Sequence, residues 1–169
     1  MHVAPLQPSD ATRYRALMLE AYALAADAFT STPQERAAEP DAWWVKRITH
    51  AHSVVLGAFE GQELIGTVAL EFSAKPKTQH KAHVLGMYVT PAFRATGAGR
   101  ALLDGLITLA GQRPGIQVLN LTVTEGNDAA VNLYRSAGFE PFGTEPMAIR
   151  TPSGFKNKVY MWRQLPATP

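Results

Sequence analysis

The feature that most constrains the fold is a glycine-rich turn between an apolar strand and an apolar helix, Arg94-Ala95-Thr96-Gly97-Ala98-Gly99-Arg100. A helix N-terminus leaves backbone N–H groups unpaired and carries partial positive charge. Small residues let an anion approach those groups closely, and the two flanking arginines add full charge. The turn therefore predicts a diphosphate site, although the same glycines would also suit a loop that only packs tightly against its helix.

The turn does not match two common nucleotide-binding motifs. It lacks the G-x-G-x-x-G of a dinucleotide-binding fold and the G-x-x-x-x-G-K-S/T of a P-loop. An ATP or NAD site is therefore disfavoured, and the turn alone does not identify the diphosphate.

The composition predicts one soluble globular domain. The chain has 169 residues, of which 46% are hydrophobic and 18% are charged, enough to bury a core without a disulfide or a metal. It has no cysteine, which removes disulfides, thiolate nucleophiles and cysteine-ligated metals. We therefore expect no metal and a reducing, cytoplasmic location.

Charge and hydropathy exclude two classes of partner. The net charge of +2 comes from scattered basic residues, whereas a nucleic-acid-binding protein would carry a stronger basic stripe. The first ten residues lack the basic and apolar segments of a signal peptide. No apolar run reaches the ~18 residues of a membrane span. We expect neither a nucleic-acid partner nor a membrane.

Hydrophobic periodicity predicts the element order β-α-α-β-β-β-α-β-α-β-β. The predicted strands are 2–6, 53–59, 64–72, 83–89, 118–124, 139–149 and 158–165, and the predicted helices are 11–26, 42–51, 97–111 and 128–137. Segment 30–40 is predicted as a loop, Asp41 as a helix cap, Gly138 as a left-handed residue and 166–169 as frayed. Since no repeat or linker interrupts the chain, 1–169 is predicted as a single α+β domain with a parallel unit at 83–124.

Two motifs resemble those of the GNAT acetyltransferase superfamily. Residues 85–103 resemble motif A, a hydrophobic strand followed by Q/R-x-x-G-x-G/A and an amphipathic helix, in which Arg94, Gly97 and Gly99 fill the defined positions. Residues 127–139 resemble motif B, N-x-x-A-x-x-x-Y-x-x-x-G-F; the matching residues are Asn127, Ala130, Tyr134, Gly138 and Phe139. The two motifs in this order are far more specific than either one.

The resemblance implies a fold and an activity. The expected fold is a mixed sheet of about six or seven strands flanked by about four helices, with splayed central parallel strands. The expected activity is acetyl transfer from acetyl-coenzyme A to a primary amine of a small molecule or peptide, by direct attack in a ternary complex. Three alternatives or additions stay open: an N-terminal acetyltransferase of proteins or peptides, a catalytically weak acyl-CoA-binding regulator, and assembly as a homodimer.

The resemblance also implies where acetyl-coenzyme A binds. Backbone amides of the turn, Arg94, Ala95, Thr96, Gly97, Ala98, Gly99 and Arg100, would hold the pyrophosphate. The strand before it, Met87, Tyr88 and Val89, would bind the pantetheine arm through its main chain. Asn127 would cap its helix, reach the pantetheine amides, or do both.

Tyr134 is the expected general acid. It lies seven residues after Asn127, nearly two helical turns, so both lie on one helix face. The resemblance implies that its hydroxyl protonates the departing thiolate, which suits a phenol that is protonated at neutral pH. The resemblance also implies that a strand amide, that of Val89, polarises the thioester carbonyl. The alternative for Tyr134 is a packing role in the core.

His83 is the expected general base. It occupies the position at which histone-acetylating members of the superfamily carry a glutamate, and no carboxylate lies between Phe72 and Phe93. Residues two apart on a strand share a face, so His83, Leu85 and Met87 should line up unless a bulge intervenes. Glu71, a water chain, or a merely strand-end role for His83 stay open.

The acceptor pocket should be built from the first two helices, their loop and the last strands, as in relatives. The candidate lining residues are Tyr22, Phe29, Trp44, Glu71 and Tyr160. Trp43 and Trp44 point about 100° apart on a helix, so we expect one in the core and one beside the cleft. Carboxylates that could bind a cationic acceptor are Glu20, Asp27, Glu71 and Glu125.

Overall fold

The strands form one seven-stranded sheet, of which the first strand begins at residue 2 and the last ends at residue 164. A computed structural model describes residues 1–166. The strands are β1 (His2–Pro5), β2 (Ser53–Glu60), β3 (Glu63–Phe72), β4 (Lys81–Val89), β5 (Val118–Thr124), β6 (Glu140–Thr151) and β7 (Gly154–Gln164). They lie in the order β1-β2-β3-β4-β5-β7-β6, and β4–β5 is the parallel pair in an otherwise antiparallel sheet. The mixed sheet expected from the sequence is confirmed.

Within residues 1–166, five α-helices accompany the sheet: α1 (Ala11–Leu24), α2 (Pro33–Ala37), α3 (Asp41–Thr49), α4 (Ala98–Gln112) and α5 (Asp128–Ser136). On one face α4 buries Leu102, Leu103 and Leu106 against the central strands. On the other face α1 and α3 form a second core, where Tyr14 and Trp44 meet edge to face with ring centroids 5.9 Å apart. Burial of these apolar faces holds both layers on the sheet.

The segment predicted as the loop 30–40 contains the short helix α2, so that prediction was wrong in part. Thr32 and Glu35 form a reciprocal capping box: Glu35 N donates to Thr32 Oγ1 at 3.2 Å, and Thr32 N donates to Glu35 Oε2 at 2.7 Å. The T-x-x-E spacing is the sequence signal for such a start. Asp41 is the first residue of α3 rather than its cap, because Pro40 holds the cap position.

Several predicted boundaries shift by a few residues. Helix α1 ends at Leu24, two residues before its predicted end. Strand β4 begins at Lys81 and β7 at Gly154, earlier than predicted, because pairing with neighbouring strands extends past the apolar run. Gly138 has φ of 82°, the predicted left-handed conformation. Of the predicted frayed tail, residues 167–169 lie outside the part of the chain that the structure describes.

The parallel strands β4 and β5 part early. Their paired residues end at His83 and Asn120, after which β5 stays with β7 and β4 stays with β3. The splay implied by the resemblance is therefore present.

A bulge in β4 follows directly after the splay begins. Ala69 pairs with Leu85 and Thr67 with Tyr88, so β4 has one residue more than β3 over this stretch. Gly86 takes the left-handed conformation there, with φ of 65°. The bulge places Tyr88, not Met87, on the face of Leu85. The exception that the prediction allowed for a bulge therefore applies, and Met87 does not line up with His83.

Candidate active site

A cavity of about 660 Å³ lies between β4, the start of α4 and α5. We call it the α4 cavity. Its lining includes most residues that the sequence assigned to the cofactor: Met87, Tyr88, Val89, Arg94, Ala95, Gly97, Gly99, Arg100 and Asn127. The tertiary structure thus brings residues of both sequence motifs to the lining of one cavity.

The N-terminus of α4 opens into this cavity without a side-chain cap. Gly97 holds the N-cap position at φ of 93°, and the first backbone bond runs from Ala101 N to Gly97 O at 2.9 Å. The amides of Ala98, Gly99 and Arg100 therefore lack partners within the helix. A Cβ on Gly97 would meet no atom within 4 Å, so the glycine leaves open space before those amides. This arrangement suits an anion.

Thr96 and Ala98 shape the turn rather than line the cavity with their side chains. Thr96 Oγ1 donates to the carbonyl of Phe93 at 2.7 Å, and Ala98 is buried. A Cβ on Gly99 would lie 3.3 Å from Leu133 Cδ2, so glycine there permits the close approach of α5. Three of the turn's small residues thus have structural reasons beside any ligand.

The two arginines of the turn are not equivalent. Arg100 Nε donates to both carboxylate oxygens of Asp104 at 2.8 Å, and its charge is compensated. Arg94 Nε donates to Val89 O at 3.2 Å, and its guanidinium has no carboxylate partner in residues 1–166. Both arginines line the α4 cavity, and they differ in that Arg100 is paired with Asp104.

The edge of β4 directs main-chain groups into the splay. Thr90 N donates to Ile65 O of β3 at 2.9 Å. Because successive residues of a strand point their backbone groups to opposite sides, those of Met87 and Val89 face away from β3, toward the gap left by β5. Arg94 occupies the Val89 carbonyl, which leaves the Val89 N–H as the donor at that point.

A second cavity, of about 390 Å³, lies in the splay itself. We call it the splay cavity. It shares Met87, Asn127 and Ala130 with the α4 cavity, so the two adjoin there. His83 from β4 and Tyr134 from α5 both line it. The predicted base and the predicted acid are therefore brought to one cavity.

Tyr134 is buried, with 7% of its surface exposed, and its ring meets Phe139 edge to face at 5.9 Å. Burial raises the pKa of the Tyr134 hydroxyl to about 12. Asn127 caps α5, since its Oδ1 accepts from Ala130 N at 3.3 Å. The capping role is thus present, and the same side chain lines both cavities.

His83 is held by a partner that sequence reasoning missed. Its Nδ1 lies 2.6 Å from Oδ1 of Asn120, the residue beside it across the last rung of the parallel pair. When Nδ1 donates to this carbonyl oxygen, which only accepts, Nε2 keeps its lone pair and can take a proton. The register of β4 against β5, which no motif encodes, creates this contact.

Some of the residues predicted to line the acceptor pocket line the splay cavity, and others do not. Tyr22 and Phe29 line the splay cavity and meet edge to face at 5.2 Å. Trp44 is 1% exposed in the core against Tyr14, so its predicted place in the pocket was wrong and it is the core member of the tryptophan pair. Tyr160 is not among the residues lining either cavity; its hydroxyl donates to Glu145 at 2.7 Å.

The four candidate carboxylates lie elsewhere. Glu20 accepts from the Tyr88 hydroxyl at 2.8 Å, Asp27 pairs with Lys156 at 2.6 Å, and Glu125 accepts from Asn157 at 2.8 Å. Glu71 lines a separate cavity of about 410 Å³ beside α3, together with Trp43 and Arg47. The splay cavity is instead lined by cations that the motifs did not indicate: Arg36, Arg47 and Lys158.

Comparison with known proteins gives a family. A model described as the Acetyltransferase (GNAT) family matches residues 18–139. The N-alpha-acetyltransferase RimI of Mycobacterium tuberculosis is 35% identical over 105 residues, which is 62% of this chain and 63% of that protein. The chain thus spans less than two thirds of the length of this relative.

Solved structures resemble the whole fold. A GCN5-related N-acetyltransferase from Kribbella flavida superposes with a TM-score of 0.81 at 26% identity, over 97% of both chains. The structure of yncA, a putative acetyltransferase from Salmonella typhimurium with its cofactor acetyl-CoA, gives a TM-score of 0.81 at 21% identity, over 100% of this chain and 96% of that one.

The turn can be tested by Gly97→Glu. The substitution forces a side chain into the left-handed region, places bulk in open space and adds negative charge beside the α4 amides. We expect calorimetry to show that the variant binds acetyl-coenzyme A at least about tenfold more weakly, a loss of ~1.4 kcal/mol in binding free energy. Gly111→Glu, the same change at the far end of α4, is the control. Equal affinity in the two variants would contradict a diphosphate site at the turn.

Proposed function

The chain belongs to the acetyltransferase (GNAT) family, and from this we propose that it transfers an acetyl group from acetyl-coenzyme A to a primary amine. One observation carries the proposal: a cavity at the uncapped start of α4 adjoins a second cavity that holds both His83 and Tyr134. A donor bound in the first can present its thioester to an amine bound in the second.

Acetyl-coenzyme A binds, in this proposal, along the α4 cavity. The amides of Ala98, Gly99 and Arg100 take the diphosphate, with Arg94 beside it. The pantetheine arm adds to the free edge of β4, where Met87 and Val89 offer main-chain groups. Its thioester then reaches the junction of the two cavities.

The reaction proceeds by direct attack. His83 Nε2 takes a proton from the acceptor ammonium, directly or through water, and the neutral amine forms a bond to the thioester carbon. The Val89 N–H donates to the carbonyl oxygen as negative charge develops there. The carbon–sulfur bond breaks, the nitrogen of the new amide loses its second proton to solvent, and the sulfur receives the proton of the Tyr134 hydroxyl, which solvent later restores.

Tyr134 suits this role at every working pH. Its pKa, raised to about 12, exceeds that of an ordinary phenol, so the hydroxyl stays protonated in neutral and mildly basic solution. It therefore contributes no titration of its own to the pH dependence of the reaction in that range.

Tyr134→Phe should lower kcat about 10²-fold without changing the pH profile below about pH 10, because the ring still packs on Phe139 while the proton donor is gone. Thiol release measured across pH tests this. Tyr160→Phe, at a tyrosine away from both cavities, should leave kcat unchanged. A Tyr134→Phe enzyme with full kcat would assign Tyr134 to packing alone.

His83→Gln should lower kcat/KM at least about tenfold and abolish the acidic limb that protonation of a catalytic imidazole produces. The measurement is the pH dependence of kcat/KM for both proteins. His80→Gln removes a neighbouring histidine outside the splay cavity and should change neither. If the wild-type and His83→Gln profiles coincide, water or Glu71 would have to serve as the base.

The likeness to RimI favours a second candidate, the α-amine of a protein or peptide as acceptor. An acceptor screen by thiol release, with amino acids, polyamines, aminoglycosides and peptides, separates the candidates. A regulator with a decayed site would bind acetyl-coenzyme A and release no thiol with any amine. The presence of Tyr134 and His83 in one cavity supports the enzyme instead.

The cellular location and the oligomeric state are predicted from the sequence alone. No helix within residues 1–166 is long and apolar enough to cross a membrane. Location in the cytoplasm and assembly into a homodimer stay predictions of the sequence.

A further inference from the structure

The splay cavity has a strongly one-sided charge. Arg36 from α2, Arg47 from α3 and Lys158 from β7 line it, and within residues 1–166 no aspartate or glutamate does. A pocket for a polyamine, an aminoglycoside or a lysine side chain would need carboxylates in its wall, since like charges raise the free energy of the bound state.

Arg36 and Arg47 both contact the ring of Trp43. The guanidinium carbon of Arg36 lies 4.7 Å from the centre of the Trp43 ring, and that of Arg47 lies 5.5 Å from it. Each contact is within the range of a cation–π interaction. The Trp43 ring therefore contacts both of the arginines that line the splay cavity.

Arg47 is incompletely satisfied. Its Nε is buried and has no hydrogen-bond partner among the described residues. A buried N–H without an acceptor raises the free energy of the unliganded protein, and the Arg47 side chain also lines the splay cavity. Arg36 is better held, because its Nε donates to Ser31 Oγ at 3.1 Å.

The neighbouring carboxylates compensate these cations only from outside the cavity. Glu39 Oε1 lies 3.6 Å from Arg36 Nη1. Glu71 and Arg47 both line the separate cavity of about 410 Å³ beside α3. Glu145 lies opposite Lys158 in the β6–β7 register and accepts from Tyr160. None of the three lines the splay cavity, so its interior stays electropositive.

We propose that the acceptor carries a carboxylate close to its amine, and that Arg47 and Arg36 bind this carboxylate while the amine faces His83. The inference rests on the proposed function and deepens it. A planar guanidinium can donate two parallel hydrogen bonds to a carboxylate, which fixes orientation as well as affinity. The cavity volume, about 390 Å³, is of the size that small-molecule ligands occupy.

Free amino acids present this chemistry through the α-carboxylate, and acidic peptides through a side chain near the N-terminus. The Tyr22–Phe29 pair lends the cavity an apolar wall. Apolar amino acids such as methionine and phenylalanine are therefore the first acceptors to test.

Matched acceptors isolate the carboxylate. Methionine and phenylalanine are compared with their amides, and an Ala-Asp peptide with an Ala-Asn peptide, by thiol release. We expect the anionic member of at least one pair to have a kcat/KM at least about tenfold higher, the effect of a charge-assisted hydrogen bond. The amino-acid pairs and the peptide pair identify which source supplies the carboxylate. Equal rates within every pair, or a preference for polyamines, would overturn the proposal.

Substitutions of Arg47 and Arg36 test whether these side chains bind the carboxylate of the acceptor. Arg47→Gln should raise KM for the anionic acceptor at least about tenfold while KM for acetyl-coenzyme A and for the amide stays unchanged. Arg36→Gln should act in the same direction, and Arg47→Lys should restore part of the affinity. Lys46→Gln, an exposed neighbour on α3, is the control. Because Arg47 also lies beside buried Tyr14, the Arg36 variant decides the matter if Arg47→Gln fails to fold. Equal losses for the anionic acceptor and its amide would overturn the assignment.

Binding separates this inference from the proposed function. Calorimetry of the same carboxylate and amide pairs, with the protein saturated by coenzyme A, reports on the subsite without turnover. Selective binding of the anionic member without thiol release would sustain the subsite and contradict the transferase. Turnover with equal binding of both members would sustain the transferase and overturn the subsite.

Discussion

The candidate active site depends on the separation of the parallel strands β4 and β5. Their pairing stops at His83 and Asn120, and beyond it the bulge at Gly86 keeps β4 with β3 while β5 turns to β7. A strand edge without a neighbour leaves N–H and C=O groups that need partners. Residues of β4 near this gap line both cavities, so the proposed substrate binding depends on the shape of the sheet.

The proposed base and the proposed acid come from the two strands that separate, or from the helix that follows one of them. His83 lies at the last paired rung, where its Nδ1 contacts Oδ1 of Asn120. Tyr134 reaches the same cavity from α5, whose start is set by the Asn127 cap just after β5 ends. A change in the splay would therefore move the base and the acid relative to each other, and it would also alter the free edge of β4.

The two cavities use different kinds of positive charge. At the α4 turn backbone amides supply partial positive charge, Arg100 is paired with Asp104, and Arg94 has no carboxylate partner within residues 1–166. In the splay cavity the charge is carried by side chains, and the nearby carboxylates lie outside it. The first arrangement suits a diphosphate held by main chain, and the second suits a compact anion next to the reacting amine.

The sequence by itself determined the elements whose signal is local. The turn with Gly97, the cap at Asn127 and the left-handed Gly138 follow from conformations that few other residues adopt, and the order of strands follows from hydrophobic period. Tertiary structure alone decided what depends on register and on packing between distant segments. The bulge that turned Met87 away from the face of His83, the burial of Trp44 and the meeting of two arginines at one cavity are of this kind. Such contacts join residues far apart in the chain, and neither period nor spacing encodes the distance between them.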